Sequence, residues 1–294
     1  MEHTLGCSTS KSRTFKPTLM KKISIGFSPC PNDTFIFDAL IHGKIDTEGL
    51  VFEVHMADVE ELNQQAFQEH LDVTKLSYHA YLHLLNTYVM LDSGSALGNN
   101  CGPLLIKNRG AQNPVEASLI AIPGVYTTAN FLFNYAFPKL QNKKAYLFSE
   151  IESVLKNNEA VAGLIIHENR FTYAERGFEK VMDLGSYWEQ HTGMPIPLGG
   201  IAVKRNLDKA LQLKIQKLIR KSVEFALRNP KDSMTFVTDN AQEMNLDIVQ
   251  KHIDLYVNSY SQSLGEKGKS AIQSMYNFSV ENKLILPSDK SLFV

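Results

Sequence analysis

The sequence contains little cysteine and no excess of positive charge. Its three cysteines, Cys7, Cys30 and Cys101, are too few and too far apart for a zinc ligand set, and their odd number argues against a disulfide framework. The formal net charge is -1, so there is no surplus of basic residues to bind nucleic-acid phosphates. A disulfide-stabilised secreted protein, a structural zinc site and nucleic-acid binding are therefore all disfavoured.

Long apolar runs are also missing. Residues 1–22 are basic and polar and contain no apolar run long enough for a secretion signal. No later segment approaches the roughly 20 apolar residues that a membrane-spanning helix requires. The sequence predicts a cytoplasmic protein without a membrane partner. The pattern from Met20 onward is typical of a start followed directly by a first strand, so residues 1–22 are expected to form a disordered N-terminal extension.

What the sequence does contain is a repeated alternation of strand-length apolar runs and amphipathic helices. With 294 residues, 44% hydrophobic and 21% charged, the chain is long enough for two globular lobes. Strands are expected at 23–27, 51–55, 73–76, 104–107, 119–122, 145–148, 161–166, 180–184 and 198–203, most of them followed by a helix. This alternation predicts an α/β fold with parallel strands in each of two units.

After residue 206 the sequence becomes helical, with segments at 207–228, 245–257 and 266–281. These helices are expected to return to the first lobe and pack on it. The predicted organisation is a discontinuous larger lobe of residues 23–106 and 204–294, a smaller lobe of residues 107–203, and a cleft between them.

His167 stands where the apolar run 163–166 stops and polar residues begin. The carboxyl ends of strands in open α/β sheets are where ligands bind, and histidine is the side chain best suited to transfer protons near neutrality. On position alone, a histidine that merely closes the strand by bonding to a backbone carbonyl is slightly favoured over a catalytic one.

Three junctions between a strand and a helix have compositions suited to anion binding: 28–34, 75–77 and 123–128. The first N–H groups of a helix lack intrahelical partners, so hydroxyl-bearing residues there often accompany a bound carboxylate. In the first junction, Asn32 or Asp33 is expected to cap a helix that starts at Thr34. Simple N-capping is the competing interpretation for each junction.

Metal binding is weakly supported. His79 and His83 are one helical turn apart, but no acidic partner lies at motif spacing. His167 and Glu168 lack the second histidine of a zinc-protease helix, because position 171 is phenylalanine. No metal site is expected.

Five segments together carry a resemblance to a known family: 26–35 (GFSPCPNDTF), 75–80 (KLSYHA), 122–129 (IPGVYTTA), 167–173 (HENRFTY) and 188–201. In this order they closely resemble the 1,4-dihydroxy-6-naphthoate synthases of the futalosine route to menaquinone, over about residues 21 to 290. The resemblance implies the two-lobed type II fold of periplasmic solute-binding proteins.

The family resemblance also implies an activity and a site. It implies a lyase that converts cyclic dehypoxanthine futalosine to 1,4-dihydroxy-6-naphthoate without a cofactor, and hence a small aromatic carboxylate as the binding partner. His167 matches the proton-accepting histidine of the family. The substrate-contacting positions match Lys75, Leu76, Ser77, Thr127 and Thr128. Asn169 stands where family members often have glycine.

Two other functions fit the same pattern. One is the chorismate dehydratase of the same pathway, and the other is a non-catalytic protein that binds small carboxylates. The segments around His167 and Lys75 favour the synthase. The sequence leaves the oligomeric state open between monomer and homodimer.

Overall fold

The computed structural model describes residues 21–294, so the expected N-terminal extension, apart from residues 21 and 22, lies outside the described residues. The strands are β1 (Lys21–Phe27), β2 (Leu50–Met56), β3 (Val73–Ser77), β4 (Tyr88–Met90), β5 (Ala96–Gly98), β6 (Leu104–Asn108), β7 (Ile120–Ile122), β8 (Lys143–Ala145), β9 (Ala162–Ile165), β10 (Phe178–Asp183) and β11 (Ile196–Lys204). The helices are α1 (Pro31–Ile41), α2 (Val59–Phe67), α3 (Tyr78–His83), α4 (Thr128–Ala136), α5 (Ile151–Lys156), α6 (Asn169–Thr172), α7 (Leu184–Thr192), α8 (Lys209–Arg228), α9 (Pro230–Asn240), α10 (Leu246–Tyr256), α11 (Ser259–Gln262) and α12 (Gly265–Glu281), with a 3₁₀ turn at Phe148–Glu150.

The larger sheet has six strands in the order β2-β1-β3-β11-β4, with β5 also paired to β11. Strands β1, β2 and β3 are parallel, so the loops that follow β1 and β3 emerge at the same edge. β11 runs antiparallel to β3 and places Gly199 opposite Ser77. A side chain at position 199 would meet the carbonyl oxygen of Leu76 at 2.9 Å, so glycine allows the two strands to pair closely here.

The smaller sheet has five strands in the order β10-β6-β9-β7-β8. β7, β8 and β9 are parallel, but β6 is antiparallel to both of its neighbours. The strands predicted at 119–122, 145–148, 161–166 and 180–184 therefore all run in one direction, and β6 is the antiparallel strand of this sheet. β6 enters this sheet directly from the first lobe, in the opposite direction, and inserts between β9 and β10.

The chain after β11 packs back on the larger sheet. Ser222 of α8 donates to the carbonyl oxygen of Ile36 at 2.6 Å and accepts from the backbone N–H of Leu40 at 3.0 Å, which ties α8 to α1. Helices α9 and α10 also contact α1. The prediction of a two-lobed α/β fold is confirmed. The residue boundaries of the two lobes stay a prediction, and residues 196–203, assigned from sequence to the smaller lobe, pair within the larger sheet.

The two lobes meet through a shared apolar cluster as well as through the crossing segments. Leu76 of the larger sheet and Leu105 of the smaller sheet belong to one buried cluster that also includes Phe131 and Trp188. Trp188 packs against Phe131 at 6.1 Å between ring centroids and does not line the cavity described below. Within residues 21–294, no helix is both long and apolar enough to cross a membrane.

Candidate active site

A cavity of about 90 Å³ lies between the two sheets. Its walls include the carboxyl-terminal half of β3, the segments that follow β1, β7 and β9, and parts of β11 and α10. This is the position at which open α/β sheets bind ligands. The lining residues that matter below are Asn32, Lys75, Ser77, Thr127, Thr128, Ala129, His167, Leu198, His252 and Tyr256.

His167 lies two residues beyond the end of β9 and is half-buried in the cavity wall. Its backbone has φ of 57°, in the left-handed region that non-glycine residues seldom adopt. Such a conformation costs on the order of 1–3 kcal/mol and is most often retained at functional sites. The ring of Phe148 packs edge-on against the imidazole, with centroids 4.8 Å apart.

The nearest polar neighbour of His167 is the thiol of Cys30, which is 3.4 Å from Nδ1 and 3.9 Å from Nε2. Burial raises the pKa of Cys30 well above its ordinary value, and the negative charge of Glu168 adds to this effect. The thiol therefore stays protonated near neutral pH and is not a nucleophilic thiolate. No sequence signal connects the two residues, because 137 positions separate them.

The first helix begins earlier than predicted. α1 starts at Pro31 with Cys30 as its N-cap, so the expected start at Thr34 with Asn32 or Asp33 as cap was wrong. Proline is well suited to the first helical position because its missing N–H would have no partner there. Asp33 instead accepts hydrogen bonds from the backbone and hydroxyl of Ser28, at 3.1 and 2.7 Å.

Lys75 lines the cavity, and its ammonium group forms a buried ion pair with Asp33. Nζ lies 2.5 Å from Oδ1, and the two side chains are 7% and 1% exposed. An unpaired buried charge is costly, and each member of this pair compensates the other. Lys75 therefore faces the cavity with one of its three donors already used.

The next two residues of β3 have different surroundings. Leu76 is fully buried in the apolar cluster with Tyr78 and Tyr81, so its side chain is a core residue. Ser77 lines the cavity, and its backbone N–H donates to Oδ1 of Asn63 at 3.0 Å. The hydroxyl of Ser77 accepts from Nδ2 of the same asparagine at 3.3 Å, which leaves its hydrogen free to be donated.

Thr127 and Thr128 lie on the opposite wall, at the start of α4. Thr127 is the N-cap, and its hydroxyl accepts from the backbone N–H of Asn130 at 3.2 Å. The hydroxyl of Thr128 donates across the cleft to the carbonyl oxygen of Leu198 at 2.6 Å. The cavity thus brings together His167, Lys75, Ser77, Thr127 and Thr128, whereas the side chain of Leu76 lies outside it.

Sequence reasoning missed His252 and Tyr256, both on α10. Val249, His252, Ile253 and Tyr256 are the buried residues of this helix, at the spacing of one helical face. The sequence feature that could have identified His252 is its position as a histidine on an otherwise apolar helix face. His252 is fully buried, and its Nε2 lies 2.8 Å from Oδ1 of Asn32.

In the part of the chain that the structure describes, no group of three or more histidine, cysteine or acidic side chains has the arrangement of a metal site. His79 and His83, considered above for a metal, instead pack against aromatic rings. The centroid of Tyr126 lies 6.3 Å from that of His79 and 5.4 Å from that of His83. Burial lowers the pKa of His79 to about 4.

The two lobes and the cavity between them define a periplasmic-binding-protein-like fold. The periplasmic aliphatic sulphonate binding protein of Escherichia coli is similar, with a TM-score of 0.62 at 9% identity, covering 92% of this chain and 90% of that protein. A crystal structure of a protein from Archaeoglobus fulgidus is more similar, with a TM-score of 0.82 and 31% identity, covering 90% of this chain and 98% of that one.

The sequence comparisons identify the family. Residues 23–281 match the family model described as menaquinone biosynthesis, and the chain belongs to this family. A relative from Thermus thermophilus, named 1,4-dihydroxy-6-naphtoate synthase, is 40% identical over 276 residues, which cover 94% of this chain and 100% of the relative. The family resemblance drawn from the five sequence segments is confirmed.

Proposed function

We propose that the chain is a carbon–carbon lyase that converts cyclic dehypoxanthine futalosine to 1,4-dihydroxy-6-naphthoate, with His167 as the general base. The observation that carries this proposal is the position of His167. Its strained backbone holds the imidazole in an inter-lobe cavity whose other walls carry Ser77, Thr127 and Thr128. These are the positions that the family resemblance assigns to substrate contact.

The lining of the cavity suits an aromatic carboxylate. Apolar side chains on its walls, Val59, Ala96, Ile166 and Leu198, can surround a fused ring system.

The carboxylate is expected to bind between the start of α4 and Ser77. The first N–H groups of a helix have no intrahelical partner, and Thr128 and Ala129 occupy those positions at the cavity wall. Because the hydroxyl hydrogen of Thr128 is already donated to Leu198, its backbone N–H is the donor left for an anion. The ammonium group of Lys75, paired with Asp33, lines the same cavity and has N–H donors left for a ligand.

Proton removal requires a free lone pair on the imidazole. If the ring hydrogen of His167 resides on Nδ1, the sulfur of Cys30 is the acceptor within 3.4 Å, and Nε2 is left for the substrate. Nε2 can then take a proton from the sugar-derived ring of the substrate. The electron pair left behind starts fragmentation, and aromatisation of the naphthoate drives it. Closure of the lobes excludes water during this step.

The test is incubation of the purified chain with cyclic dehypoxanthine futalosine, and separately with chorismate, followed by chromatography with mass detection. The proposal predicts 1,4-dihydroxy-6-naphthoate from the first compound and no product from the second. Dehydration of chorismate would instead establish the sister activity. Binding of the first compound without conversion would favour a non-catalytic carboxylate-binding protein.

A further inference from the structure

Two buried polar atoms face each other across the boundary between the lobes. Oε2 of Glu168, the residue after His167 in the smaller lobe, lies 3.6 Å from Nδ1 of His252 on α10 of the larger lobe. The two side chains are 7% and 0% exposed. Among residues 21–294, neither atom has a hydrogen-bond partner. Buried polar atoms without partners are rare and costly, so the juxtaposition requires an explanation.

The hydrogen bonds on the other side of His252 fix its tautomer. Nε2 lies 2.8 Å from Oδ1 of Asn32, an oxygen that can only accept. The amide of Asn32 is oriented by its own donation from Nδ2 to Asp33 at 2.8 Å. The ring hydrogen of a neutral His252 therefore resides on Nε2, and Nδ1 presents a lone pair to Glu168.

The resting imidazole is neutral. Burial, followed by electrostatic interaction with His167 and Lys75, lowers the pKa of His252 well below its ordinary value. A lone pair on Nδ1 and an ionised carboxylate oxygen repel each other. One added proton converts this repulsion into a hydrogen bond, whether the proton resides on the nitrogen or on the oxygen.

We propose that Glu168 and His252 form a proton-dependent clasp that joins the two lobes and positions His167 in the cavity. The proton comes from solvent and is shared between Nδ1 and Oε2. Glu168 is bonded to His167 along the chain, so holding its carboxylate against the larger lobe fixes the backbone that carries the base. The imidazole rings of His167 and His252 lie nearly parallel, with their centroids 6.2 Å apart. This inference rests on the proposed catalytic role of His167.

Other titratable groups surround the clasp from each neighbouring element. They are Cys30 and Asp33 at the start of α1, Lys75 on β3, Arg170 on α6, and Tyr256 on α10 with its ring 4.6 Å from that of His252. Lys75 and Asp33 neutralise each other in their ion pair. In contrast, Nδ1 of His252 and Oε2 of Glu168 have no hydrogen-bond partner among the described residues.

The direct test is nitrogen-15 NMR of the histidine side chains in the full chain, without ligand, across a pH series. The clasp predicts a hydrogen shared by Nδ1 of His252 that is present at low pH and lost as the pH rises. In Glu168→Gln, the amide can donate to Nδ1 at every pH, so this pH-dependent step should disappear. The proposal is overturned if Nδ1 behaves identically in both proteins, or carries no hydrogen at any pH at which the chain is folded.

Kinetics provide a second test with a matched control. Because the clasp is lost as the pH rises, kcat/KM of the unaltered chain should fall as the pair loses its shared proton. Glu168→Gln should remove that fall and keep kcat/KM near its maximum. Glu168→Ala should lower kcat/KM about tenfold to a hundredfold at low pH, where the clasp forms, as expected when a reacting group is misplaced, and should approach the unaltered chain at high pH. Exposed Glu175 lies in the same segment, and Glu175→Gln should behave as the unaltered chain. Retention of the high-pH fall in Glu168→Gln would contradict the clasp.

Failure of the clasp and failure of the proposed function give different results. If His167 is not the base, the NMR signature of the Glu168–His252 pair is still present, because it requires no substrate. If the clasp does not exist, that signature is absent, while His167→Asn still lowers turnover about a hundredfold to ten-thousandfold.

Discussion

The thiol of Cys30 lies 3.4 Å from Nδ1 of His167, although the two residues come from different lobes. Cys30 caps α1 of the larger lobe, and His167 follows β9 of the smaller lobe. Because burial keeps the thiol protonated, the sulfur serves His167 as a neutral hydrogen-bond partner. The contact therefore links the orientation of the imidazole to the closure of the cleft.

This contact predicts different effects for two substitutions of Cys30. Cys30→Ser keeps an atom that can accept from Nδ1–H, so kcat should fall less than threefold or so. Cys30→Ala removes the acceptor, and kcat should fall about tenfold, the equivalent of one hydrogen bond. Steady-state kinetics across pH measure both. Equal activity in the serine and alanine variants would show that the sulfur does not orient the imidazole.

Ser77→Ala should weaken binding of the substrate carboxylate about tenfold, since one hydrogen bond to a charged group is lost. The double variant Thr127→Ala, Thr128→Ala should also weaken binding, because Thr127 caps α4 and Thr128 holds Leu198. Titration calorimetry with substrate on the inactive His167→Asn background measures both affinities. Exposed Thr235 on α9 provides the control, as Thr235→Ala should bind normally. Unchanged affinity in both test variants would remove these residues from the site.

The buried ion pair predicts a large stability effect. Lys75→Met leaves the carboxylate of Asp33 buried without its cation, so the free energy of unfolding should fall by about 3–5 kcal/mol. Adding Asp33→Asn should recover much of this loss, because the unpaired charge is removed. Urea denaturation measures all three proteins. Lys22→Met breaks an exposed pair with Glu53 and should change stability little. A double variant no more stable than Lys75→Met would contradict the ion-pair account.

The lowered pKa of buried His79 predicts that part of the free energy of unfolding depends on pH. Its folded pKa is about 4, mainly through burial, against about 6.5 when unfolded. Between these values the unfolded chain binds a proton that the folded chain does not, so the free energy of unfolding should fall as the pH drops from 6.5 to 4. The full effect is about 3 kcal/mol. His79→Phe should flatten this slope in urea denaturation at several pH values, and an identical slope would refute it.

Much of the fold could be predicted from the period of the apolar residues. The strands that carry the cavity, β1, β3, β7, β9 and β11, were predicted within a few residues because their apolar patterns are followed by clear helix starts or turns. The short strands β4 and β5 were missed, because a run of three residues is too short to show an alternating apolar pattern. The sequence left the direction of β6 open, because strand direction depends on how the chain enters the sheet.

The site could be predicted only where a local pattern marks it. The end of β9 pointed to His167, and helix starts pointed to Ser77, Thr127 and Thr128. The partners of these residues come from distant segments: Cys30 reaches His167, and His252 reaches Asn32 across 220 positions. Contacts of this kind depend on the tertiary packing of α10 and α1 and leave no spacing in the sequence.

The catalytic role of His167 is the central claim, and turnover of cyclic dehypoxanthine futalosine by His167→Asn tests it most directly. Loss of a positioned base typically lowers the rate about a hundredfold to ten-thousandfold. The variant should therefore fold normally and bind the substrate, while formation of 1,4-dihydroxy-6-naphthoate falls by that factor. Turnover at the unaltered rate would contradict the account and leave His167 as a residue that only closes the strand.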